Sequence, residues 1–247
     1  MPQELFIAER IEMRGTAQFN PNMDGHWMQK KRHYSDLFDG ISLDTTNRWN
    51  SYVTGATGAT IAISEVQGGS VLLTTGTVDD DSLALAGAII LTADYEAVVE
   101  WNLTITDVSG TGLFVGFSDA KNEANGSLAI HYPGDVLTTV ATNAVGFVID
   151  ADHATSSIMV ASVKADVATT PVDTGVDWAD GETRRLRVEL DVDGNAIFYI
   201  DGAVVARIAS AVTDSTLLCA TVQALTRAND GANTVRVRRY DAWQNEV

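Results

Sequence analysis

The sequence predicts an all-β protein, an antiparallel β-sandwich preceded by an extended N-terminal arm. Three observations carry this. Apolar residues recur with a period of two in many short runs, Gly, Asp, Asn and Thr punctuate those runs, and no amphipathic helix of ordinary length is present. The clearest segment is Arg184–Gly202, where Leu186, Val188 and Leu190 alternate with Arg185, Arg187, Glu189 and Asp191. Ala196, Phe198 and Ile200 alternate in the run that follows. A three-residue loop, Val192-Asp193-Gly194 with Gly194 left-handed, sets Val188 opposite Phe198 and Leu186 opposite Ile200. A two-residue loop sets Phe198 against Glu189, and a one-residue slip turns a strand inside out. The three-residue loop is therefore selected, and Asp201-Gly202 turns tightly into a third strand, Ala203–Ile208.

Residues 1–36 read as the arm and 37–247 as the sandwich. The arm holds four of the five Met and the cluster Lys30-Lys31-Arg32-His33-Tyr34, with weak alternation and a turn at Asn20-Pro21-Asn22. A short helix is expected near Leu5–Met13. Beyond it, Ile61 and Ile63 alternate, and Gln67-Gly68-Gly69 turns into Ser70–Thr75. The clearest single strand is expected at Tyr95–Ile105, with Ala97, Val99, Trp101, Leu103 and Ile105 facing one way. Further strands are expected at Leu113–Phe117, Val145–Ile149, Ile158–Val163, Leu217–Val222 and Thr234–Tyr240. Strands at such turn-punctuated spacing mark a sandwich or barrel.

The 247 residues, 45% of them hydrophobic, suffice for one large β domain. One cysteine, Cys219, excludes intrachain disulfides and reads as a small buried apolar side chain. The N-terminus lacks the apolar core of a signal peptide, and no run approaches the ~18 apolar residues of a membrane span. The chain is therefore expected to be made and used without secretion. The net charge is −17, and residues 51–180 concentrate it, with 17 Asp/Glu against 2 Lys/Arg. Such a surface repels nucleic acid and anionic membranes, so neither is an expected partner.

The segment RRLRVELDVDGNAIFYIDGAVVARI, with the closing VRVRRYDAW, resembles the concanavalin A-like jelly roll, a superfamily spanning legume lectins, laminin-G domains and laminarinase-type glucanases. The stretch RWNSYVTGATGATIAISEVQGGSVLLTTG, with EAVVEWNLTITDVSGTGLFVGFSD behind it, is similar to capsid-associated or decoration proteins of tailed phages. The resemblance covers about Leu37–Trp243. It implies a non-enzymatic virion protein on the capsid surface, made in the host cytoplasm. In that reading the protein cements the shell through contacts with the major capsid protein and with copies of itself. The arm is the expected contact, through Leu5, Phe6, Ile7, Ile11, Trp27 and Met28. The alternative is a lectin-like module of a phage surface or fibre protein that binds a host-surface glycan.

Chemistry is sparse. The glucanases of the superfamily set acids at alternate positions of one strand, one as nucleophile and one as acid/base. The comparable run, Glu189-Leu190-Asp191-Val192-Asp193, has its third acid in the hairpin loop and reads as a solvated strand face. Sugar stacking requires an exposed aromatic ring. Trp101 reads as core, Trp49 and Trp243 as the edges of the core, and Trp178, between Asp177 and Gly181, as the exposed candidate. The acidic runs Asp79-Asp80-Asp81 and Asp150-Ala151-Asp152 match no EF-hand spacing, and His26 and His33 match no zinc spacing, so no metal or other cofactor is expected. No nucleophile elbow and no phosphate-cradling glycine loop is present.

Overall fold

A computed structural model of the chain describes residues 31–54, 58–64, 68–123, 127–155, 157–227 and 231–245. In chain order the strands are β1 (Lys31–Asp36), β2 (Asn50–Thr54), β3 (Thr60–Ile63), β4 (Val71–Thr74), β5 (Ser82–Ala86) and β6 (Val98–Ile105). There follow β7 (Thr111–Ser118), β8 (Ile130–His131), β9 (Thr138–Thr139), β10 (Ala144–Asp150), β11 (Ser157–Lys164) and β12 (Val167–Ala168). The last are β13 (Val172–Asp177), β14 (Thr183–Leu190), β15 (Ala196–Ile200), β16 (Ala203–Ile208), β17 (Cys219–Thr226) and β18 (Thr234–Asn245).

They form two antiparallel eight-stranded sheets. Sheet I runs β16-β15-β14-β6-β18-β4-β3, with β1 also on β18; sheet II runs β12-β11-β10-β7-β17-β5-β2, with β13 also on β11. The meander has the register that its side chains demand: Val188 pairs with Phe198 and Leu186 with Ile200. Gly194 is left-handed at φ 73°, and a Cβ there would lie 2.4 Å from the Val212 carbonyl oxygen, so both conformation and space call for glycine. Between the sheets, Trp101, Phe117, Phe147, Phe198 and their aliphatic neighbours form the main core, with Phe147 and Phe198 edge to face at 5.4 Å.

Four boundaries differ from expectation. β6 starts at Val98 because Ala93–Tyr95 forms a 3-10 turn closed by left-handed Glu96. The Cys219 strand starts two residues later than expected and ends four later, since Leu218 makes an isolated bridge to Leu91 and leaves Leu217 exposed. β18 extends five residues past Tyr240 because a bulge between Val237 and Arg239 resets its alternation. Finally, Lys31–Asp36, assigned to the arm, is a strand of sheet I paired along its length with β18. The six expected contact residues of the arm, Leu5 to Met28, and the helix near Leu5–Met13 lie outside the described residues.

The central strands of sheet II are buried on both faces. An excursion between β7 and β10, containing the small β8–β9 pair, covers its outer surface. Leu128, Ala129, Ile130 and Tyr132 pack there against Phe114, Val148, Ala161 and Leu225. Strands β7, β10 and β17 are consequently buried at every position, and their sequences lack the polar alternation of a half-exposed strand.

Candidate functional site

Two polar sites stand out: an aromatic-floored cleft at one rim, and an arginine clamp beneath the β8–β9 excursion. The cleft begins with the turn ahead of β2. Asp44 accepts hydrogen bonds from the backbone N–H groups of Thr46 and Asn47, and its carbonyl takes those of Arg48 and Trp49. The bond from Asn47 leads the effects that lower the Asp44 pKa. This turn aims the Trp49 indole inward, where Nε1 donates to Asp36 Oδ2 at 2.8 Å. The other Asp36 oxygen accepts from the Phe38 N–H at 2.8 Å, so Asp36 fastens the end of β1 to the start of β2.

Trp49 then joins an aromatic cluster, edge-on to Tyr240 at 4.9 Å and tilted against Phe38 at 5.4 Å. Arg48 stands beside it with its side chain 54% exposed, donating to the Ser35 carbonyl at 2.9 Å and lying 3.5 Å from Asp36. Tyr34, Ser35, Asn47, Arg48, Ala88 and Ile90 surround a cleft of about 160 Å³ over Trp49, Leu91 and Tyr240. Drug-sized pockets run to ~300–1,000 Å³, so this one suits a single ring. Burial raises the Tyr240 pKa, which keeps its phenol protonated.

The clamp centres on Arg227, just past β17. Its Nε and Nη2 donate to Asp150 at 2.8 and 2.7 Å, and Nη1 donates to Asp80 at 2.6 Å. Asp152 lies 3.5 Å away. The two acidic runs therefore converge on one arginine, through Asp80 and Asp150, which lie 70 positions apart in sequence. Asp150 also accepts the Tyr132 N–H and so ties the excursion to the clamp. The charges are consumed within the protein. Among the described residues, no group of three or more His, Cys, Asp or Glu side chains is placed to hold a metal ion.

The remaining candidates change character. Trp178 is only 4% exposed, because its indole turns inward at the β13–β14 connection and donates to the Glu182 carbonyl at 2.9 Å. It presents no ring to solvent. Trp101 and Trp49 are core, and Trp243 is buried on the other side of β18. Glu189, read as solvated, is buried: it accepts from the Tyr199 hydroxyl at 2.9 Å and lies 3.2 Å from Arg187, whose guanidinium covers the Tyr199 ring. Asp191 is spent on its hairpin, accepting from the backbone N–H groups of Asp193 and Asn195. The Cys219 thiol is pushed up to about 12, chiefly by burial, and stays protonated. Residue patterns missed Tyr34, Arg48 and Tyr240 as one site; their only shared signal was a scattering of aromatic and basic residues far apart in sequence.

No protein-family model matches the chain, and no curated protein matches it in sequence. Its fold does match solved structures. The carbohydrate recognition domain of Emp47p is 15% identical, superposes with a TM-score of 0.61, and is covered over 89% of this chain and 98% of that one. The metal-free Emp46p carbohydrate recognition domain gives 11% identity, TM-score 0.58 and coverage of 87% and 97%. A conserved carbohydrate esterase of the Shiga toxin-encoding bacteriophage phi24B gives 16%, 0.52, and coverage of 86% and 97%. The body of the chain has the jelly-roll sandwich fold of these lectin-like domains.

Proposed function

We propose that this chain is a non-catalytic carbohydrate-binding module whose ligand enters the rim cleft, carried on a phage surface or fibre protein. The observation that carries the reading is the cleft itself: a ring-sized opening above the buried Trp49 and Tyr240, with the half-buried Tyr34 in its wall and polar groups at its lip, on a jelly roll shared with carbohydrate recognition domains. Sugar sites combine apolar surface with a few placed polar groups, and this lining has both. The same neighbours favour sugar binding over the shell-cementing role that the sequence suggested. The phage setting draws on the resemblance and on the phage esterase neighbour. Absence of catalysis is supported by what happens to the acids: Glu189, Asp150 and Asp191 are each engaged by donors of the protein itself.

A glycan array probed with the full chain tests the reading, followed by calorimetry on the best ligand. Tyr34→Ala, which removes a half-buried ring from the cleft wall, is expected to weaken binding about tenfold, the scale of losing ~1.4 kcal/mol of contact. The bound glycan is expected to be recovered intact. Failure to bind any glycan, or release of cleaved sugar, overturns the proposal.

A further inference from the structure

We infer that the rim cleft selects an uncharged, hydroxyl-bearing sugar and discriminates against carboxylated or sulfated ones. This rests on the carbohydrate-binding reading above and adds the chemical class of the ligand.

The argument is one of charge and of unspent hydrogen bonds. The lining contains one cation, Arg48, and one anion, Asp36. Asp36 has no free role: its oxygens receive Trp49 Nε1 and the Phe38 N–H, and the guanidinium of Arg48 lies 3.5 Å away. An acidic sugar reaching for Arg48 must compete with that carboxylate, which the fold fixes in place. It must also approach a chain of net charge −17, with exposed Asp39 and Asp44 close in sequence to the site. A neutral sugar meets neither obstacle.

The groups left over suit hydroxyls. A guanidinium has five N–H donors, and the Ser35 carbonyl takes one of those of Arg48, while Asp36 attracts the same end. The Asn47 amide uses its NH₂ on Asp44, leaving its carbonyl oxygen as an acceptor. Tyr34 adds a hydroxyl that both donates and accepts. Sugar hydroxyls need such paired donors and acceptors. A carboxylate or sulfate accepts only, and would leave the acceptor of Asn47 unused.

The test uses the full chain with matched pairs of glycans, each neutral parent against its sialylated, uronic or sulfated form. The neutral member is expected to bind at least about tenfold more tightly, with an affinity changing less than about twofold as salt rises from ~0.01 to ~1 M, over which the Debye length falls from ~30 to ~3 Å. Arg48→Gln keeps donors without charge and is expected to retain neutral binding within about threefold. Arg48→Ala and Ala88→Gln, the latter filling the mouth, are expected to abolish it, with unchanged circular dichroism as the control for folding. Preference for the acidic member, with steep salt dependence and loss in Arg48→Gln, overturns the inference and leaves carbohydrate binding standing. Binding that survives both Arg48→Ala and Ala88→Gln places the sugar elsewhere and overturns it too. No binding to either member of any pair overturns the underlying reading.

Discussion

The clamp and the cleft are each built on an arginine beside a carboxylate, and they differ in almost everything else. The Arg227 side chain is 3% exposed and Asp150 is 0% exposed, joined by two parallel hydrogen bonds. Arg48 is 54% exposed and Asp36 17%, with a loose 3.5 Å approach. A buried charge must be fully bonded, because removing it from water costs several kcal/mol per ion. The clamp therefore spends its donors internally and holds the β8–β9 excursion on sheet II. At the rim, water stabilises the guanidinium, so donors remain to exchange for a ligand. The same pair of residue types makes a structural joint in one place and the proposed binding lip in the other, and solvent exposure is what separates them.

Breaking the clamp is the largest test of that contrast. Asp150→Ala leaves Nε and Nη2 of the buried Arg227 without their acceptor, with Nη1 still on Asp80, and removes the acceptor of the Tyr132 N–H; it is expected to cost ~3–5 kcal/mol in urea or thermal unfolding. The double variant Asp150→Leu with Arg227→Met is expected to be more stable than Asp150→Ala alone, since no unpaired charge stays behind. A loss below ~1 kcal/mol for Asp150→Ala, the range of exposed pairs, contradicts the assignment of the clamp as a joint.

A smaller, titratable effect comes from His131 on β8. Burial, then the nearby Arg227, lowers its pKa, with Asp150 and Asp80 acting against them, and its Nδ1 has no partner. The unfolded imidazole binds protons near pH 6.5, above the folded value, so its contribution is complete above ~6.5 and is lost as pH falls toward and through the folded pKa. Glu100 and Glu123, raised by burial, act in the opposite sense as pH falls. The measurement is therefore a difference: the stability of the wild type minus that of His131→Gln is expected to decline on acidification from pH 7 to 5. A flat difference sinks the assignment.

How much of this was legible follows from where alternation survives. The β14–β15 hairpin was readable to the residue because its inward apolar positions alternate and loop length fixed the register, whereas the bulge between β15 and β16 at Val205 left no such mark. Sheet II was readable only as strands, since the excursion buries its outer face and erases the period of two. The excursion itself, with two-residue strands β8 and β9, has no periodicity to detect. The bulge at Arg238 hid the last turn of β18 by moving the inward positions from Val235 and Val237 to Tyr240 and Ala242. Trp178 looked exposed because polar residues flank it in sequence, yet one carbonyl, that of Glu182, draws its N–H inward. Both polar sites depend on contacts between distant segments, which local patterns do not encode.

The smallest expected effect is the most informative about the rim. Asp36→Ala alone is expected to destabilise by ~1–3 kcal/mol, because it orphans the buried Trp49 N–H as well as loosening Phe38. Arg48→Ala alone is expected to cost under ~1 kcal/mol, as an exposed pair should. A double-mutant cycle separates the pair from these other losses, and its coupling energy is expected below ~1 kcal/mol. The same cycle on Asp150 and Arg227 is expected to give several times that value. A rim coupling as strong as the interior one would mean that Asp36 holds the guanidinium too firmly for exchange. The cleft would then be a second structural joint, with no donor to offer a sugar.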